Sequence, residues 1–188
     1  MARIDDVKGI LLNPRSEWPA VARALATPHS ILVGHVLILA AIGPVAMAIR
    51  GGAFGLAPAA VSYAIAVAMT FALAWVVDAL APSFGGEKDF VQSLKLTAYS
   101  YTAAWLAGIF YLLPFVGGIV GLLAALYSLY TFYLGVPVLK RCPEGSAVGY
   151  TAVVVLCAVV LGMVGGGLLM STAFGSGMIG LPGMGLLR

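Results

Sequence analysis

Three side chains in this sequence could carry ionic chemistry inside an apolar chain: His35, Asp78 and Lys95. Hydroxyls accompany them at Tyr99, Tyr101, Tyr127, Tyr130, Thr131, Tyr133 and Tyr150. A carboxylate is costly in hydrocarbon and needs a partner. For Asp78 that partner is His35, a tyrosine hydroxyl or Lys95, and the sequence leaves all three open. Two accounts of the group compete. In one, these residues line a small cytoplasm-facing cavity for a proton, a cation or a polar solute. In the other, the tyrosines form an aromatic belt at the cytoplasmic interface, with Asp78 at the headgroups.

Other chemistry has no sequence to carry it. No phosphate loop, HExxH metal site or GxSxG nucleophile turn is present, and Gly85-Gly86 lacks the context of a dinucleotide fingerprint. Cys142 lies in a basic turn and Cys157 in an apolar run, so neither a metal site nor a disulfide between them is expected. The reading is of a protein that is not an enzyme, with no cofactor, no metal, no nucleotide and no nucleic acid. The formal charge of +3 reflects basic residues on the cytoplasmic side of a membrane.

The elements that must position these groups follow from composition. Of 188 residues, 62% are hydrophobic and 9% charged, whereas soluble domains carry about 25% charged residues. Mean hydropathy is +1.06. The chain reads as an all-α, polytopic membrane protein. Five segments are long enough to cross about 30 Å of hydrocarbon: 31–49, 56–80, 96–116, 119–139 and 147–172. Helices satisfy their own backbone in lipid, and these segments are too long for barrel strands. Gly43-Pro44 predicts a kink in the first, and PFVGG a tight hairpin between the third and fourth.

A cytoplasmic N-terminus places Arg3, Lys8, Arg15, Arg23, Lys88, Lys95, Lys140 and Arg141 inside and leaves Arg50 and Arg188 outside. Eight of the ten basic residues then lie on one side, the bias that orients membrane proteins. The organisation expected is a cytoplasmic segment over 1–29, a five-helix domain over 30–173 and a Gly-rich extracytoplasmic tail over 174–188. Residues 1–29 lack a signal-peptide pattern. Trp18, Val21, Ala22 and Leu25 recur at helical spacing there, predicting a short amphipathic helix in the interface. Trp18, Lys140 and Arg141 are the expected headgroup anchors. Gly117 with Gly121, and Gly162 with Gly166, are spaced for close helix packing.

Residues 112–155 carry a resemblance. Pro114 before a double glycine, Gly121, the YSLY run at 127–130, Tyr133-Leu134-Gly135, Pro137 and Gly149-Tyr150 resemble the Yip1 domain family. Leu12-Asn13-Pro14 with Trp18 looks like its bacterial members. The resemblance implies five transmembrane helices, an inside N-terminus and an outside C-terminus. Eukaryotic members are associated with small GTPases of vesicle traffic and with membrane shaping. The acidic-aromatic N-terminal motif of those members is missing here, so GTPase binding is not carried over. The family supplies no catalytic residues to transfer. The expectation is a plasma-membrane protein of a bacterium (inner membrane if Gram-negative). Its partners would be membrane lipids, other membrane proteins or a second copy. The alternative is a small transporter or channel for a proton, cation or polar solute.

Overall fold

The computed structural model describes residues 4–113 and 115–178, with side chains over 7–113 and 115–171. Arg3, Arg188, Pro114 and residues 179–188 of the expected tail lie outside the described residues. Every regular element among the described residues is helical.

Two short helices open the chain, α1 (Ile4–Leu12) and α2 (Pro14–Arg23). Proline at the first position of α2 gives up an amide that would have no intrahelical partner. Glu17 in the first turn and Arg23 in the last oppose the helix dipole. Ile10, Trp18 and Val21 are buried. The apolar side of α2 packs on α9 (Val116–Leu139). Trp18 and Val21 of the predicted stripe are spent on protein, whereas Leu25 is fully exposed.

Thr27 and Ser30 then form a reciprocal capping box around the first turn that Pro28 opens. From there the chain runs through α3 (Pro28–Ile31), a π-helical turn (Leu32–Val36), α4 (Leu37–Ala40) and α5 (Ile42–Gly51). The break at Ala41 has a simple cause. Pro44 has no amide to offer the Ala40 carbonyl, so the ladder is interrupted one turn earlier. Gly52, at φ +54°, reverses the chain. The long helix α6 (Leu56–Leu80) returns against α5.

After a 3-10 turn over Ala81–Phe84, Asp89 caps α7 (Phe90–Ser100) by accepting from the Gln92 amide at 3.0 Å. The chain bends at Tyr101 into α8 (Thr102–Ala107) and a 3-10 stretch, Gly108–Leu112. Hydrogen bonds cross the bend, from Tyr101 N–H to Thr97 and from Trp105 N–H to Tyr101. Thr97 returns its own hydroxyl to the Ser93 carbonyl, a bond that bends helices. Helix α9 follows, and α10 (Glu144–Met178) packs mainly along α6.

Three stretches are long and apolar enough to cross a membrane: Pro28–Phe84, Val116–Leu139 and Glu144–Ser171. The first is folded at Gly52 into two arms. The expected span 96–116 is not among the three, because hydroxyl back-bonding and Gly108 divide it. Helix α10 continues through 174–178, the first residues of the expected Gly-rich tail. Small and apolar residues there leave the backbone no better partner than its own helix.

Candidate functional site

At the end of the bundle where α6 and α9 finish and α7 and α10 begin, a carboxylate and an ammonium are locked together. Asp78, near the end of α6, accepts at one oxygen, Oδ1, from three donors. These are Lys140 Nζ at 3.0 Å, Ser93 Oγ at 3.0 Å and the Asp89 amide at 2.8 Å. Lys140, the residue after α9, is fully buried. Its ammonium has three N–H groups and meets three acceptors: Asp78 Oδ1, Ser93 Oγ at 2.8 Å and the Asp89 carbonyl at 3.2 Å. The Lys140 carbonyl also accepts from the Glu87 amide at 2.9 Å. One ion pair therefore ties α6, the 85–89 loop, α7 and α9. The expected headgroup role of Lys140 is corrected. Its side chain turns inward because Asp78 would otherwise be half-buried without a counter-ion.

Lys95 makes a second saturated site. Its ammonium donates to the carbonyls of Val21 at 2.9 Å, Ala22 at 3.3 Å and Ala24 at 2.7 Å. These are the free carbonyls at the end of α2, where the helix dipole is negative. Gln92 Nε2 joins them, donating to the Ala22 carbonyl at 3.1 Å. Lys95 is a cap for the N-terminal helices, and Asp78 takes a different lysine.

His35, 1% exposed, is held apart from Asp78. Its Nε2 shares a hydrogen bond with Thr102 Oγ1 at 3.0 Å, and its ring stacks on Tyr99 with centroids 4.3 Å apart. Trp105 closes that pocket and stacks in turn on Tyr101. The π-helical turn around His35 is a local departure of a kind often found where a side chain must be re-aimed. No hydrogen bond of Asp78 goes to His35. The grouping expected from the sequence thus splits in three, with Asp78, Lys95 and His35 each on partners of its own.

The tyrosines divide likewise. Tyr127 donates to the Leu11 carbonyl at 2.8 Å, holding α1. Thr131 donates its hydroxyl to Tyr127, while its carbonyl receives the Trp18 indole N–H at 3.0 Å. Tyr150 is fully buried and donates to the Val77 carbonyl. Tyr130 and Tyr133, 45% and 37% exposed, face outward. Trp18, expected among headgroups, is instead completely enclosed. A β-carbon on Gly135 would lie 2.5 Å from Leu96 Cδ1 and 2.7 Å from Trp18 Cε2, so only glycine leaves room for the indole. Of the three expected anchors Arg141 alone is exposed, and it pairs with Glu87 at 2.9 Å.

Among the expected packing glycines, Gly117 fits, with a β-carbon there 2.7 Å from the Phe110 carbonyl oxygen. Gly121, Gly162 and Gly166 would meet nothing within 4 Å. An equally close backbone approach is one the spacing did not reveal. A β-carbon on Gly108 would lie 2.7 Å from Gly43 Cα, where the chain after α8 crosses α5. Ser93, Gln92 and Gly135 were also missed. Each works through a partner distant in sequence, a relation that local spacing does not encode.

Geometrically the polar layer is a set of clamps. Each ammonium has all its donors engaged, and the groups hold helices in register. No metal-holding group of three His, Cys, Asp or Glu occurs among the described residues. No curated protein and no solved structure matches this chain. The Yip1 domain model matches residues 8–179, from the second half of α1 through α2, the buried ion pair and α10, and the chain belongs to that family.

Proposed function

We propose that this Yip1 domain protein is a five-pass membrane protein that acts through lateral contacts with lipid and with other membrane proteins, a second copy included, and performs no catalysis. The five passes are the two arms folded at Gly52, the bent run from α7 through the 3-10 turn, α9 and α10. The N-terminus is cytoplasmic, as are the basic turns around Lys88 and Arg141. The C-terminus is on the far side, and the membrane is a bacterial plasma membrane.

One observation carries this reading: the ionic groups turn inward onto partners while the outer faces of α9 and α10 are apolar. Leu122, Leu126, Leu156, Val160 and Met163 are 56–72% exposed. Such surface is suited to lipid or to another apolar helix. The transport alternative draws on His35 and Asp78 as one relay, and each has its own separate partners.

Cysteine accessibility tests the topology. In a background free of native cysteines, probes at Ser83 and Glu144 should react with a membrane-impermeant maleimide only after permeabilisation. Probes at Gly52 and Gly118 should react in intact cells. The reverse pattern overturns the orientation, and labelling of all four from one side overturns the five passes. In proteoliposomes, proton or cation flux that Asp78→Asn abolishes would replace this reading with transport.

A further inference from the structure

Helices α9 and α10 do not close on each other along their whole length. Between them and α6 and α8 lies a cavity of about 320 Å³, within the ~300–1,000 Å³ typical of small-molecule pockets. Its walls include Leu73, Ser100, Tyr101, Ser128, Phe132 and Ala158. At the rim, Leu126 and Val159 are 56% and 49% exposed, so the cavity opens sideways onto the apolar surface of the bundle. A second groove of about 400 Å³ shares Leu126, Leu129 and Val155 with it and contains Thr151.

The polar atoms here are out of balance with the rest of the molecule. Among the described residues, five buried side-chain polar atoms have no hydrogen-bond partner. Three of the five, the hydroxyls of Ser100, Ser128 and Thr151, belong to residues lining these two spaces. Ser100 and Ser128 are 3% and 8% exposed, so bulk water does not satisfy them. A helical serine ordinarily returns its hydroxyl to a carbonyl one turn back, as Thr70, Thr97 and Thr131 do in this chain. These serines make no such bond, and both residues line the cavity.

We infer that the cavity between α9 and α10 binds an uncharged lipid, an apolar chain carrying a hydroxyl or carbonyl oxygen that hydrogen-bonds Ser100 and Ser128. The lining excludes charge: it holds no ionisable side chain other than the phenol of Tyr101, and an ion there would be desolvated without a counter-ion. It also disfavours a plain hydrocarbon, which would leave both hydroxyls unpaired. The sideways opening admits a ligand already dissolved in the bilayer. Prenols, diacylglycerols and quinones share this chemistry. The inference takes from the preceding section only that the bundle sits in a membrane.

Native mass spectrometry of the detergent-purified full chain tests it. The probes are farnesol, 1,2-dioctanoylglycerol and decylubiquinone, with farnesane as the oxygen-free control. At least one oxygenated probe should bind once per chain, and which one identifies the source. Farnesane should bind at least tenfold more weakly. Ser100→Ala and Ser128→Ala should each weaken binding about fivefold, the loss expected for one neutral hydrogen bond. Ala158→Phe, which fills the cavity, should abolish it. Ala125→Leu on the opposite wall serves if that variant does not fold. Equal binding of farnesane, binding unaffected by both serine changes, or binding of none of the three probes overturns the inference. A reversed membrane orientation would leave these results untouched, so the two readings fail separately.

Discussion

Lys140 and Asp78 are unequal partners, and their substitutions should differ. Lys140 is fully enclosed, whereas the Asp78 side chain keeps 19% exposure. Asp78→Leu strands a buried ammonium and should cost about 3–5 kcal/mol. Lys140→Met leaves a carboxylate that still accepts from Ser93 and the Asp89 amide, and should cost about 1–3 kcal/mol. The double change to apolar residues should recover most of the loss, because paired charges and a filled apolar site are often equivalent. Thermal unfolding in detergent reads all three. Cys142 offers a chemical test at the same end of the bundle. Its thiol is buried and donates to the Phe84 carbonyl at 3.0 Å, and burial pushes its pKa up. The thiolate is the reactive form. Maleimide should therefore label Cys142 more slowly than a free thiol at neutral pH and catch up only above the ordinary thiol range. The same shift gives stability that is fully present below the ordinary thiol range and is lost as pH rises from there through the raised pKa of the folded state.

At the scale of elements, glycine positions separate into tight and open. Gly135→Ala drives a β-carbon into Leu96 and the Trp18 ring and should cost about 1–3 kcal/mol through overpacking. It should also loosen α1 and α2, read as faster proteolysis near residue 25. Gly162→Ala meets nothing and should be neutral or stabilising by up to about 1 kcal/mol through helix propensity. A marked loss at Gly162 would mean that a second helix from outside the chain packs there. Trp18→Ala should cost about 3–5 kcal/mol, because the indole fills a closed site and satisfies the Thr131 carbonyl.

Over the whole molecule, the N-terminal helices act as a plug on the bundle's basic end. Trp18, Tyr127 and Lys95 hold that plug by three independent hydrogen-bonded contacts. Removing residues 1–25 should expose the Gly135 groove and leave the buried Lys95 without its carbonyls. The truncated protein should melt well below the full chain, by more than Trp18→Ala alone. If the truncation melts like the full chain, the plug is a passive tether. Helix α10 is the opposite extreme, with 11% of its apolar window buried in protein. It is the element most dependent on lipid or on a partner for cover.

Composition and period alone determine the apolar helices and the Pro44 kink, and the motifs of residues 112–155 carry the family resemblance. These depend on residues near one another, or on the chain's sum, and so are written locally. The partners of the polar residues are not. Asp78 chooses Lys140 over His35 or Lys95, and Trp18 enters the bundle instead of the interface. Each choice is made by groups far apart in the chain, Trp18 and Thr131 being 113 residues apart. An aromatic residue or a lysine at a helix end suits lipid headgroups and protein carbonyls equally. Only the tertiary structure decides, by bringing three acceptors to one ammonium and leaving a gap the width of an indole where Gly135 has no side chain.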